Sequence, residues 1–577
     1  MTAYLVTTTT TIKQNVFRCD VGARFHLIYL LKLKNMKKIL LTIIMLLVLL
    51  PVAMCADGVA DYNVVPLPGN VDMQRGAPFV LDSATTVVYP AGSEEMERNA
   101  RFLVDYISET TGIKINATTH KSKNSIHLFI DKSVSGDETY HLVVGKKGVA
   151  LSACSPKGIV YGIQTLRKAL PVAHAKSVIL PAAVINDAPR FGYRGMMLDC
   201  SRHFFSVDFV KRFIDMLALH NMNVMHWHLT DDQGWRIEIK KYPRLSEVAS
   251  RRTGTTVGFN SMADDSTEYG GCYTQDEARQ IVEYARQRFI TVIPEIDMPG
   301  HMKAALTAYP ELGCTGGPYE VGHRWGIYVD VLCLGNEKVY QFCEDVLSEL
   351  MDIFPSQYIH IGGDETPTKR WSACPKCQAL AKEHSLAASK MQGYFTNRIE
   401  KFVNSRGRRI IGWDEILEGD INQSATIMSW RGTANGEKAS ELGHDVIMSP
   451  TSHCYFDFQQ TDKNVKYEPT LCNGFISVVK VYNFEPCPDS LSVAAKRHML
   501  GVQANVWTEY ITCPQSLEYQ VLPRMAALCE VQWTNGSKDF GAFKQRLDRH
   551  VSFYDLYHWN YAKHLWPERI VTPWVDN

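Results

Sequence analysis

The chain has 577 residues, 45% hydrophobic and 21% charged, and its 61 basic residues balance 61 acidic ones. That length calls for two or more domains around a large core, and the apolar content is too high for a disordered chain. A formal net charge of zero gives no support to a nucleic-acid binder or to a polybasic membrane-surface protein.

Residues 1–35 carry a polar run, Thr7 to Thr11, and no clear period; they read as an upstream mis-start or a disordered extension. From Met36 the pattern is a secretory signal over 36–56: Met36-Lys37-Lys38, an apolar stretch from Ile39 to Met54, and a small-residue end at Ala53 to Ala56. The stretch is interrupted by Pro51 and is short for a spanning helix, which takes about 20 apolar residues. An exported protein is expected: periplasmic, cell-surface or secreted. Cys55, after Val52-Ala53-Met54, loosely resembles a bacterial lipobox, although Met54 fits that pattern poorly.

Over 57–188 short strands alternate with helices. Ser125–Asp131 and Tyr140–Val144 alternate like strands, while Glu94–Thr110 and Gly158–Leu170 have helical spacing. This reads as a small α+β domain that gathers no carboxylates or histidines. Over 189–540 eight apolar runs follow: Tyr193–Asp199, Asn223–His228, Thr291–Glu295, Tyr358–Gly362, Arg409–Trp413, Thr426–Trp430, Asp445–Ser449 and Gly501–Trp507. Helical patterns stand between or after most of them: Phe209–Leu219, Thr274–Arg288 with a Thr274/Glu277 capping box, Glu337–Phe354, Ser389–Asn404 and Ser516–Cys529. Eight such repeats read as a (β/α)8 TIM barrel, with a carboxy-terminal helix and tail over 541–577. A doubly wound sheet is the alternative, but no glycine-rich phosphate turn follows the first strand.

Fifteen cysteines are irregularly spaced. Cys374-Pro375-Lys376-Cys377 is a CxxC without a second CxxC, so a local disulfide or two free thiols is expected there rather than a zinc site.

In a TIM barrel the chemistry sits at the carboxyl ends of the strands. Every strand end here carries polar or aromatic residues: Arg202 and His203; Asp231 and Asp232; Asp297 and His301; Asp364 and Glu365; Trp413 and Asp414; Trp430 and Arg431; Tyr455 and Asp457; Trp507 and Glu509. One Asp after a strand is ordinarily a turn or cap residue and one Trp is ordinarily core. Eight ends of this kind are hard to explain by packing. Trp faces suit the apolar C–H faces of a sugar and carboxylates suit its hydroxyls, and glycosidic cleavage needs a protonated carboxyl. No GxSxG elbow is present. His226 and His228 share one face of a strand, which leaves a zinc-dependent barrel hydrolase as an alternative; the plainer reading makes them hydrogen-bonded residues beneath the site. An inactive carbohydrate-binding protein is the other alternative.

Four stretches carry a family resemblance: Tyr193-Arg194-Gly195-Met196-Met197-Leu198-Asp199-Cys200-Ser201-Arg202-His203-Phe204, His226-Trp227-His228-Leu229-Thr230-Asp231-Asp232, Pro294-Glu295-Ile296-Asp297-Met298-Pro299-Gly300-His301 and His360-Ile361-Gly362-Gly363-Asp364-Glu365. In this order they resemble family 20 glycoside hydrolases, the β-N-acetylhexosaminidases. The resemblance covers about residues 189–535, and the preceding small domain is similar to that family's amino-terminal domain. It implies exo-hydrolysis of terminal β-linked GlcNAc or GalNAc from an oligosaccharide or glycoconjugate. The implied mechanism is retaining and substrate-assisted: the sugar's own acetamide attacks to give an oxazolinium ion, with no cofactor and no metal. By the same resemblance Glu365 is the acid and then the base, Asp364 orients the acetamide, and Asp231 with His301 is linked to the acid. Arg202 binds the 3- and 4-hydroxyls, Trp413, Trp430 and Trp507 box the sugar, Tyr455 bonds the acetamide oxygen, and Asp457 and Glu509 hold outer hydroxyls.

Overall fold

Apolar side chains at successive strand positions have to be covered on both faces of a parallel sheet. The computed structural model, which describes residues 58–461 and 472–569, meets that demand by closing eight parallel strands into a barrel. They are β1 (Tyr193–Asp199), β2 (Val224–His228), β3 (Thr291–Glu295), β4 (Tyr358–His360), β5 (Arg409–Trp413), β6 (Thr426–Ser429), β7 (Val446–Met448) and β8 (Met499–Val506). β8 returns to β1, with Tyr193 opposite Gly501 and Leu198 opposite Val506. All positions of β1 and β2 are buried. Tyr193, Val224, Ile293, Ile411, Met428 and Ile447 plug the interior. Residues 1–35, the segment 36–56 expected to be a signal and Cys55 within it lie outside the described residues, as does the end of the carboxy-terminal tail. No described helix is long and apolar enough to cross a membrane.

Two elements depart from the sequence pattern, each for a local reason. β4 stops at His360 because Gly362 and Gly363 take φ of 67° and 95°, which ends the extended run. The helix expected over Ser516–Cys529 is two helices, Pro514–Val521 and Arg524–Trp533. Pro523 between them has no N–H to continue the ladder. The Thr274/Glu277 capping box is present in both directions at the start of the helix Gln275–Arg286.

The small domain has a seven-stranded mixed sheet with Tyr140–Gly145 and Gly148–Ala153 near its middle, and a three-stranded sheet beside it in sequence. Its two helices, Glu94–Thr111 and Pro156–Ala169, start on Ser93 and Ser155, whose hydroxyls accept from Met96 and Gly158 N–H. It is bonded to the barrel through buried polar contacts. Arg194 on β1 reaches Glu138 at 2.7 Å, Lys168 reaches the Leu219 carbonyl at 3.1 Å, and the Trp533 indole donates to Asp187 at 2.9 Å.

Candidate active site

The floor of the barrel mouth is one carboxylate in a cage. Glu295, the last residue of β3, is fully buried. Its Oε2 faces His226 Nε2 at 3.0 Å and makes a very short contact with His228 Nδ1. Its Oε1 faces His360 Nδ1 at 2.8 Å and accepts from the Trp413 indole at 3.0 Å. Alternation on the strands puts all of these side chains inside. Burial favours neutral groups, yet the surrounding histidines hold the Glu295 carboxyl well below its ordinary range. Burial pushes His226 down to about 4, whereas Glu295 and Asp231 outweigh burial at His228 and lift it well above the usual histidine range. The floor is therefore an ion pair, His228 with Glu295, and a neutral His226. Both histidines face the Glu295 carboxylate beneath the site, as the plainer reading of the sequence has it.

Above the floor runs a chain of charged contacts. His228 Nε2 meets Asp231 at 3.1 Å, and the same carboxylate receives Arg202 at 2.7 Å. Asp231 Oδ1 lies 3.1 Å from His301 Nδ1, and Asp232 lies 3.2 Å from that nitrogen. The other ring nitrogen points to Asp364 at 3.6 Å and Glu365 at 3.7 Å. Burial alone would lower the His301 pKa, but Asp231 and Asp364 raise it well above the ordinary value. Despite burial, Arg202 and His301 hold Asp231 well below its own. Arg202 is further fixed by Asp199 at 3.1 Å and Gln233 at 3.0 Å, and Glu509 stands 3.6 Å from it.

Asp364 and Glu365 are placed by the turn after β4. Gly362 must be glycine: a Cβ there would stand 1.7 Å from Asp297 Oδ1. Glu365 and His301 themselves hold φ of 47° and 52°, a left-handed backbone that non-glycine residues adopt at a cost and that clusters at working sites. Burial, and then the Asp364 charge, raise the Glu365 pKa. Asp364 Oδ1 is buried and has no protein partner.

Three aromatic residues wall the pocket. Trp430 stacks on Tyr455 with ring centres 6.2 Å apart, and Tyr455 and Trp507 are 6.4 Å apart. Arg202 lies over the Trp507 ring at 5.0 Å. Trp413, expected in the same box, is a floor residue: it is almost fully buried and meets the pocket through Trp507 at 5.9 Å. Asp457 is buried close enough to raise the Tyr455 pKa, after burial itself. Glu509 is partly buried, with Oε2 unbonded at the rim beside Arg202. The expected residues thus gather at one end of the barrel, with Trp413 in the floor rather than in the aromatic box.

Three contributors, Glu295, His360 and Glu415, were given no place at a strand end by the sequence reading, and a fourth, Asp297, was noted at its strand end without a role. Asp297 accepts from Gly363 N–H at 3.1 Å, and burial followed by Asp364 raises its pKa well above the ordinary value. Glu295 and His360 build the floor. Glu415 accepts from the Trp430 indole at 2.9 Å, and burial together with Asp364 lifts its pKa to about 8. Its neighbour Asp414 was the conspicuous residue at that strand end, but the Asp414 carboxylate turns away to cap the Trp430 and Arg431 N–H groups. Of the two readings of Cys374 and Cys377, the structure has the free thiols rather than the disulfide, and two more cysteines stand beside that pair.

Comparison with known proteins agrees with this architecture. The sequence model described as glycosyl hydrolase family 20, catalytic domain, matches residues 191–536, and that of domain 2 of the same family matches residues 61–188. A beta-hexosaminidase of Porphyromonas gingivalis is 43% identical over 511 residues, which is 86% of this chain and 64% of the relative. One from Vibrio furnissii is 38% identical over 67% of this chain and 64% of its own length. The chain thus spans just under two thirds of these two curated relatives. A solved structure of a GH20 exo beta-N-acetylglucosaminidase from Vibrio harveyi, in complex with N-acetylglucosamine, superimposes with a TM-score of 0.77 at 30% identity, over 88% of this chain and 79% of that one. The Streptomyces plicatus N-acetyl-beta-hexosaminidase gives 0.76 at 31% identity, over 89% and 98%.

Proposed function

This chain belongs to glycosyl hydrolase family 20, and from that premise we propose that it is an exo-acting β-N-acetylhexosaminidase. The observation that carries the reading is the pairing of Asp364 and Glu365 under one histidine, 3.6 and 3.7 Å from His301 Nε2. Carboxyl groups side by side cannot attack from opposite faces of a sugar, so the usual division into acid and enzyme nucleophile does not suit them. They suit a reaction in which the substrate supplies the nucleophile.

Glu365, whose pKa burial and the Asp364 charge raise, gives its proton to the leaving oxygen. The acetamide carbonyl oxygen bonds to the anomeric carbon as the glycosidic bond breaks, and an oxazolinium ion forms. The Asp364 oxygen that has no protein partner accepts from the acetamide N–H and offsets its positive charge. Glu365, now a carboxylate, takes a proton from the incoming water, which opens the ring with retention. Tyr455 bonds the acetamide oxygen, Trp430 and Trp507 enclose the sugar above the Trp413 floor, and Arg202, Asp457 and Glu509 hold its hydroxyls. The holding of the acetamide beside the anomeric carbon is a proximity effect.

An aryl 2-acetamido-β-glucoside or galactoside should be cleaved, while the matching β-glucoside, lacking the acetamide, should be nearly inert. A thiazoline mimic of the cyclised sugar should inhibit strongly. A sugar adduct on Asp364 after treatment with a 2-deoxy-2-fluoro glycoside would overturn the mechanism. Export belongs to the same reading: residues 36–56 direct it, and the intact mass of the mature protein should begin near Ala53–Ala56. Residues 1–35 found on that protein would refute this.

A further inference from the structure

Four cysteines from separate segments meet on the outside of the barrel. Cys314 follows the turn Pro310–Leu312, Cys333 precedes the helix Glu337–Ile353, and Cys374 and Cys377 bracket the start of the helix Pro375–Glu383. All four sulfurs lie within 4.8 Å of one another. Cys314 and Cys377 are 3.8 Å apart, and Cys333 is 3.6 Å from both Cys374 and Cys377. A disulfide needs about 2.05 Å. A metal with four sulfurs at about 2.3 Å in a tetrahedron sets them about 3.8 Å apart. Three of the four are buried and Cys314 is partly so. We propose that these four cysteines bind one zinc ion as a structural tetrathiolate site.

The backbone around them is shaped for this use. Gly335 packs on the Cys374–Cys377 turn so closely that a Cβ would stand 2.2 Å from the Lys376 carbonyl carbon and 2.5 Å from the Cys377 nitrogen. Binding forms four Zn–S bonds, breaks four S–H bonds and sends four protons to solvent, with no electron transferred. Four thiolates leave no position for water or substrate, so the ion braces rather than reacts.

What it braces is the pocket wall. The Leu332 N–H, next to Cys333, donates to the Pro299 carbonyl at 3.0 Å, two residues before His301. The Trp371 indole donates to the Leu332 carbonyl at 2.9 Å, from the segment that begins with Asp364 and Glu365. The zinc thus ties the loop after β3 to the loop after β4. This inference stands on the cysteines alone and does not depend on the reaction proposed above.

The test uses the full chain purified without chelator. Elemental analysis should find one zinc per chain. Replacement by cobalt should give intense thiolate-to-metal charge-transfer absorption, absent in Cys374→Ser/Cys377→Ser. If that variant fails to fold, zinc content and the cobalt spectrum of the unaltered protein still decide. Stripping the zinc should lower the melting temperature, and adding zinc should restore it. Metal-free protein with four free thiols, disulfide-linked peptides among these cysteines, or iron in place of zinc would overturn the proposal.

Discussion

His301 Nε2 stands 3.7 Å from Glu365 Oε2 while Nδ1 of the same ring is held by Asp231 at 3.1 Å. Two charges of opposite sign are thereby transmitted to the acid: a histidine cation beside it, and an aspartate behind that cation which keeps it charged.

Glu365→Gln should reduce turnover of substrates with poor leaving groups by about 10²–10⁴-fold, the usual share of general acid catalysis. Activated aryl glycosides need less protonation and should lose less. Steady-state rates on the two substrate classes test this; equal losses would remove Glu365 from the role.

His301→Gln removes a cation that lowers the Glu365 pKa. Protonated Glu365 is the working form, so activity falls as pH rises through its pKa. Without the cation that pKa rises further, and the basic limb of the kcat/KM profile should move to higher pH, while kcat falls. An unmoved basic limb would show that His301 does not act through Glu365.

Glu415→Gln should make the protein more stable at neutral pH. Its carboxyl has an ordinary pKa of 4.5 when unfolded and about 8 when folded. Between these values the folded state binds the extra proton, so stability is lost as pH rises from 4.5 to 8 and changes no further above that. A glutamine keeps the acceptor for the Trp430 indole and has nothing to ionise. Denaturant titrations from pH 5 to 8 should show the advantage of the variant growing with pH; a constant difference would refute it.

Gly362→Ala should abolish activity and destabilise the fold by at least about 1–3 kcal/mol, the cost of a left-handed non-glycine residue. The added carbon also collides with the Asp297 carboxylate. Thermal melts and residual activity of the purified variant check both parts.

The strands were legible because parallel barrel strands are apolar on both faces, so β1, β3 and β5 have the bounds their composition marks. Site residues were legible where a strand end carried one conspicuous polar group. Glu415 escaped because two acids stand together there, and the turn after β5, not side-chain type, decides which of Asp414 and Glu415 faces inward. Glu295 looked like an ordinary strand residue; its importance comes from histidines on two other strands. The cysteine cluster escaped for the same reason. Cys314 and Cys333 stand at the two ends of a loop and Cys374 follows only after a helix and a strand, and spacing along a chain carries no sign of a meeting that only the fold arranges.

Trp533 closes the last barrel helix, yet its indole is packed within the core of the small domain and bonded to Asp187. A side chain carried by the barrel's sequence is therefore a member of the other domain's hydrophobic core. A cut between residues 188 and 189 would give neither fragment an intact interior: the first would lack the ring that completes its core, and the second would present that ring to water. Heat should accordingly melt both parts in a single transition, and the shortest independently soluble piece of this chain should contain both.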